Sequence, residues 1–200
     1  MFRLTCVLAT LLITVSPVRA QSFEAGVNLV TSQMSAFDGT DVGVGGRFTW
    51  TPTPLIGIDA DLGWYPGEYP PDGIAFSDGR FEGLFGVTVG PSLNRVRPFG
   101  KFAAGFLQST ATQERTICLA IFPPPLNCLM AEGRTLPALD FGGGVEWLVT
   151  DRAFLRLDTT ARMLQYPGPS LQFDRNNSEV HDADFWGAAF RFSIGGGVRF

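Results

Sequence analysis

From Trp186 to Phe200 the chain alternates, residue by residue, between oily side chains and small or charged ones. Trp186, Ala188, Phe190, Phe192, Ile194, Gly196, Val198 and Phe200 share one parity, whereas Gly187, Ala189, Arg191, Ser193, Gly195, Gly197 and Arg199 share the other. Side chains of an extended strand change face at every residue, so this segment has one greasy face and one that carries arginine. A sheet with ions on its enclosed side and hydrocarbon on its outer side is inside out for water. It suits a barrel in lipid.

Seven earlier segments alternate in the same way. Strands are expected over residues 22–32, 41–51, 55–65, 79–90, 95–108, 137–149 and 152–166, before the last at 185–200. Each is long enough to cross a bilayer at a tilt. No charge falls on the outward parity of these strands, as in Phe23, Val27 and Leu29 of the first. After the N-terminal region no apolar run approaches the roughly 18 residues of a spanning helix, so insertion would be by strands. The expected fold is all-β, an eight-stranded antiparallel up-and-down transmembrane barrel.

Arg3, the apolar stretch Leu4 to Val15 and the small-residue site Val18-Arg19-Ala20 read as a secretory signal peptide over residues 1–20, leaving residues 21–200 as one barrel domain. Without Arg3 and Arg19 the 15 basic residues fall to 13 against 19 acids, a formal charge of −6. An acidic chain without a basic run excludes nucleic acid as an expected partner. Cys118 and Cys128 are the cysteines left after cleavage, and in an oxidising exported environment they are expected to form a disulfide.

The connections alternate in length. Those near 52–54, 91–94 and 150–152 are tight, and those near 33–40, 66–78, 109–136 and 167–184 are long. Outer-membrane barrels have short periplasmic turns and longer extracellular loops, which places both termini in the periplasm of a Gram-negative-type cell. The four tryptophans fit this frame. Trp50 and Trp147 fall beside tight turns, Trp64 and Trp186 beside long loops, and all have outward parity, as an aromatic girdle requires.

Inward parity collects Glu24, Asp59, Asp61, Glu82, Asp140, Glu146 and Asp158 together with Arg47, Arg80, Arg97, Lys101, Arg156, Arg162, Arg191 and Arg199. An eight-stranded barrel is only wide enough for its own side chains to fill, so these ions must meet one another in a salt-bridge network. A three-residue loop at 150–152 sets Glu146 opposite Arg156 and Asp140 opposite Arg162. The same reasoning about Thr53 sets Asp59 opposite Arg47, and across Pro91 to Asn94 it brings Glu82 within diagonal reach of Lys101.

The terminal segment Ser193-Ile194-Gly195-Gly196-Gly197-Val198-Arg199-Phe200 resembles the terminal signal of bacterial outer-membrane barrels. Arg97-Pro98-Phe99-Gly100 followed by Ala103-Ala104-Gly105 is similar to the fifth-strand pattern of small barrels of the OmpA-like and OmpX-like type. The resemblance implies that Gly195, Val198 and Phe200 present an assembly signal to the barrel-assembly machinery. It implies little about activity, because one fold hosts many functions.

Candidates for chemistry are few. His181, the single histidine, lies in the acidic run Glu179 to Asp184, and the His-x-Ser of barrel-borne lipid A deacylases is here His181-Asp182-Ala183, without the nucleophile. Asp59 and Asp61 suit salt bridges better than a metal, and the acids of the fourth long loop lack EF-hand spacing. Gly142 to Gly144 and Gly195 to Gly197 have no phosphate-binding context and are expected to relieve interior crowding. No catalytic residue, metal or cofactor is expected.

The most distinctive loop element is Cys118 to Cys128, with Ile121, Phe122 and Leu126 around Pro123-Pro124-Pro125. It either projects as a contact surface or folds over the barrel mouth as a lid. The expected function is that of a monomeric outer-membrane barrel with a structural or surface-interaction role carried by four extracellular loops. Its expected contacts are outer-membrane lipid, lipopolysaccharide and an extracellular protein. A narrow pore is the second alternative and a barrel-borne lipid hydrolase the third.

Overall fold

The computed structural model describes residues 21–34, 39–69, 77–111, 130, 133–168, 170–173, 178–181 and 183–200, and of 170–173 and 178–181 it describes the backbone alone. The expected signal peptide, the Cys118 and Cys128 pair, and Ile121, Phe122 and Leu126 lie outside the described residues, as does the side chain of His181.

The chain forms β1 (Ser22–Met34), β2 (Thr40–Thr51), β3 (Ile56–Tyr65), β4 (Arg80–Val89), β5 (Val96–Ser109), β6 (Thr135–Leu148), β7 (Ala153–Tyr166), β8 (Ser170–Phe173), β9 (Ser178–His181) and β10 (Phe185–Arg199). Strands β1 to β7 pair with their sequence neighbours, and β10 pairs with both β7 and β1, closing an eight-stranded antiparallel barrel. The fold is the one the alternation implies. β8 and β9 form a separate hairpin in the last long connection, with Leu171 in register with Val180. That hairpin falls in a stretch read from sequence as plain loop.

Alternation becomes a division of space. Val27 and Phe85 are 74% and 65% exposed on the outer surface, whereas Glu82 and Asp140 are fully buried inside. Trp64, Trp147 and Trp186 lie exposed on the outer face, with Trp50 partly covered there by stacking against Phe23 at a ring separation of 6.5 Å.

The tight turns fix the register. Around 150–152 the Thr150 hydroxyl accepts the N–H groups of Arg152 and Ala153 at 3.2 and 2.9 Å, and Glu146 lies opposite Arg156 and Asp140 opposite Arg162, as the three-residue loop requires. The other two turns correct the expected pairings. Around Thr53 the register is displaced by two residues, so Arg47 faces Asp61 and Asp59 faces Thr49. Pro52 and Pro54 cannot donate to a ladder, and Ile56 N–H instead closes on the Thr53 carbonyl and hydroxyl at 3.3 and 3.1 Å, widening the bend. An even shift keeps every side chain on its face.

Between β4 and β5 the chain turns on Asn94 and Arg95. Leu93 and Val96 exchange backbone bonds at 2.8 and 3.0 Å, and Asn94 has φ 57°, a left-handed conformation that asparagine tolerates. That turn pairs Lys101 with Thr88 and Glu82 with Leu107, so Glu82 and Lys101 do not form the expected diagonal pair.

Candidate functional site

The lumen holds an ion-rich filling rather than an apolar core. Its carboxylates are Glu24, Asp41, Asp59, Asp61, Glu82, Asp140, Glu146 and Asp158, and its bases are Arg47, Arg80, Arg97, Lys101, Arg156, Arg162, Arg191 and Arg199. Among the described residues the two sets are equal in number, so their formal charges cancel. Burying charges is costly unless each meets an opposite charge and further hydrogen bonds, and the lumen arranges this in layers.

The middle layer is a closed cycle of alternating sign. Arg47 Nε bonds Asp61 Oδ1 and its Nη2 bonds Asp158 Oδ2, both at 2.6 Å. Arg156 joins Asp158 Oδ1 through Nε at 3.1 Å and Asp59 Oδ2 through Nη2 at 2.5 Å. Lys101 Nζ completes the ring between Asp59 at 4.0 Å and Asp61 at 2.5 Å. The Phe99 ring lies under the Arg156 guanidinium at 4.2 Å, in space that a side chain on Gly144 would take: a Cβ there would stand 2.8 Å from Phe99 Cζ. At this position the glycine run relieves crowding in the way its sequence suggested.

Toward the long-connection end, Glu82 is the hub. Its Oε1 accepts Arg191 Nε and Nη2 at 3.0 and 2.8 Å, and its Oε2 accepts Arg162 Nη1 at 2.7 Å and the Tyr65 hydroxyl at 2.9 Å. Arg162 also donates twice to Asp140, to which the Thr160 hydroxyl donates at 3.2 Å. At the tight-turn end Arg199 bonds Glu24 Oε1 through Nε and Glu146 Oε1 through Nη2, each at 2.7 Å. Glu146 thus faces Arg156 in register, yet its bond goes to Arg199, because Arg156 is taken by the ring.

Every residue expected in the network, namely Arg47, Asp59, Asp61, Glu82, Lys101, Asp140, Glu146, Arg156, Arg162, Arg191 and Arg199, lies in the lumen and takes part in an ion pair. Sequence reasoning missed Asp41, which pairs with Arg80 at the start of β2, although its inward parity was visible. It also missed the closure of the mouth. Met34, Leu107, Met130, Leu136, Leu164 and Tyr166 form a buried apolar layer with Tyr65 and Tyr69, and the Arg80 guanidinium sits 3.8 Å over the Tyr69 ring. The signal was a switch from charged to apolar residues on inward parity at the strand ends. It fell at positions such as Met34 and Leu136, beyond the strand ends drawn from sequence.

This arrangement neutralises and fills. Among the described residues, no cluster of three or more His, Cys, Asp or Glu could hold a metal ion. The assembly-signal residues are at the seam, where Phe200 and Phe23 exchange backbone bonds at 2.8 and 3.3 Å, with Val198 and Phe200 on the outer face and Gly195 turned inward against Asn28.

No protein-family model matches the chain, and no curated protein does. Solved structures do resemble it, among them the following three. Ail, the attachment invasion locus protein of Yersinia pestis, in complex with the heparin analogue sucrose octasulfate, is 13% identical with a TM-score of 0.47, over 90% of this chain and 98% of that one. Neisserial surface protein A is 14% identical with a TM-score of 0.49, over 90% and 96%. The outer membrane protease OmpT of Escherichia coli is 10% identical with a TM-score of 0.40, over 90% and 95%. By its own strand order and ladders, the chain is a closed eight-stranded antiparallel barrel with paired ions inside and hydrocarbon outside, the architecture of small outer-membrane barrels.

Proposed function

We propose that the protein is an integral outer-membrane barrel whose role is structural or surface-interactive, carried by its four long connections, and not catalytic. One observation carries this reading: buried ions that compensate one another stand behind a continuous outer surface of exposed Phe, Val, Leu, Ile and Trp. Water would penalise that surface at roughly 25 cal/mol per Å², whereas hydrocarbon accepts it. The long connections then face the outside of the cell, both termini face the periplasm, and the outer face meets lipid and lipopolysaccharide. The seam residues Val198 and Phe200, exposed on that face, suit recognition by the assembly machinery.

Conduction is disfavoured by the apolar layer across the mouth and by the ion ring beneath it. In the connection from β5 to β6, Met130 is buried in that layer, which favours a lid for the returning part of the connection. The apolar tip at Ile121, Phe122 and Leu126 is proposed as the contact element for an extracellular protein or for lipopolysaccharide.

Fractionation tests the location and protease shaving the orientation. The protein is expected in the outer-membrane fraction with heat-modifiable gel mobility, and trypsin added to intact cells is expected to cut at Arg115 in the long connection. Recovery in the soluble periplasmic fraction overturns the barrel-in-lipid reading. Discrete openings of pure protein in a planar bilayer overturn the non-conducting one.

A further inference from the structure

Register gathers outward positions of neighbouring strands into one row. Gly46 of β2 lies between Val27 of β1 and Leu62 of β3, and Gly196 of β10 lies between Val27 and Leu155 of β7. Glycine on either side leaves Val27 standing alone, and the recesses beside it belong to one apolar groove of about 760 Å³ on the outer face. A Cβ on Gly46 would enter open space, with the nearest atom 4.0 Å away. The row is filled again at Gly83, opposite Leu62, where a Cβ would stand 2.8 Å from the ring of Phe106. Because barrel strands tilt by about 35–45°, a row at right angles to them climbs the wall obliquely. The groove runs from Leu155, near the tight turn before β7, up to Trp64 and Phe81 beside the long connection.

This volume falls within the roughly 300–1,000 Å³ of ligand sites, but the outward side chains that line it are aliphatic or aromatic and carry no charge. Its floor is backbone whose polar groups are spent in the ladders. The occupant must be long, thin and uncharged along its length, which describes an acyl chain. The groove is continuous with the surface that hydrocarbon covers, and left empty its walls would lose their packing contacts. Charge at the two ends selects the leaflet. In the connection that follows Trp64 the exposed Glu68 would repel a phosphate, whereas the tight turn leading to Leu155 carries Asp151 and Arg152, both exposed. Adjacent charges of opposite sign match a zwitterionic headgroup, with phosphate on the arginine and ammonium on the aspartate.

We propose that the groove over Gly46 and Gly196 holds one acyl chain of a zwitterionic phospholipid from the periplasmic leaflet, whose headgroup rests on Asp151 and Arg152. The inference rests on the barrel-in-lipid reading and adds to it a single lipid that exchanges more slowly than its neighbours.

Native mass spectrometry of the folded full barrel, released from detergent after incubation with palmitoyl-oleoyl phosphatidylethanolamine, tests this. One phospholipid is expected to stay on each barrel. Gly46→Leu fills the groove from its open floor and is expected to lower the affinity at least about threefold, through lost packing contacts. Arg152→Gln is expected to lower it about two- to fivefold, the range of an exposed ion pair. Equal retention by the unmodified barrel and both variants overturns the proposal. So does displacement of the phospholipid by lipopolysaccharide, which assigns the groove to the other leaflet, or a mass of two barrels, which assigns it to a second copy. Leu62→Trp, which covers the groove from a position that already bears a side chain, keeps the test open where Gly46→Leu fails to fold. Heat-modifiable mobility and outer-membrane fractionation are checked on the same protein, so a failure of the barrel-in-lipid reading is seen separately.

Discussion

Asp140 and Arg162 face each other across the β6–β7 ladder and form a bidentate pair, with the guanidinium Nε at 2.7 Å and Nη2 at 3.0 Å from the two carboxylate oxygens. Both side chains are essentially inaccessible to water. Because Arg162 also reaches Glu82, it compensates two buried carboxylates at once. Arg162→Met is therefore expected to destabilise the barrel by about 3–5 kcal/mol, since it leaves buried charge behind. Adding Asp140→Leu to that variant should recover part of the loss. Urea unfolding in lipid vesicles, followed by tryptophan fluorescence, measures both, and strict additivity of the two changes counts against direct pairing.

Backbone approach sets a second expectation. A Cβ on Gly105 would lie 1.9 Å from the Gly83 carbonyl oxygen, whereas one on Gly46 would meet nothing nearer than the Gly26 oxygen at 4.0 Å. Gly105→Val should abolish the heat-modifiable folded band, and Gly46→Ala should retain it. Equal refolding yields would contradict the described packing of β4 on β5.

Asn94 carries the turn that sets the β4–β5 register, at φ 57°. Asn94→Gly should change stability by no more than a few tenths of a kcal/mol, and Asn94→Val should cost about 1–2 kcal/mol, because a β-branched side chain resists left-handed backbone. Denaturant midpoints of the two variants in the same lipid decide this.

Trp64 and Trp147 stand more than half exposed on the outer face, beside opposite ends of the barrel. In single-tryptophan variants, lipids brominated near the headgroup should quench each of them more strongly than lipids brominated at the chain ends. Absence of quenching by any brominated lipid would remove the girdle.

The fold was legible because a period of two over eight segments leaves little freedom. Once Phe190, Phe192 and Ile194 face out, Arg191 and Ser193 must face in. Which acid meets which base was legible only where the turn was simple. Thr150 closes a three-residue loop, and Glu146 and Asp140 fell opposite the expected arginines. At Pro52 and Pro54 the missing N–H groups moved the ladder by two, and at Asn94 a two-residue turn replaced the tight turn drawn across Pro91 to Asn94. Even correct registers did not name the contacts, since arginine is long enough to bypass its neighbour. Arg156 passes over Glu146 to reach Asp59 and Asp158, a choice made in three dimensions. The mouth layer was missed because Met34 and Leu136 lie just past the strand ends drawn from sequence, and Tyr69 and Met130 come from connections, where alternation carries no information.

The equality of acids and bases along the lumen has an electrical consequence. Moving one elementary charge through a potential of 100 mV takes about 2.3 kcal/mol, so a lumen with a surplus of either sign would couple its insertion to any Donnan potential across the bilayer. Here the enclosed charges cancel, with Arg97, Arg199, Glu24 and Glu146 balancing within one layer and Arg47, Lys101, Arg156, Asp59, Asp61 and Asp158 within another. Any voltage dependence of insertion therefore comes from the long connections, which carry the chain's surplus of acids across the bilayer.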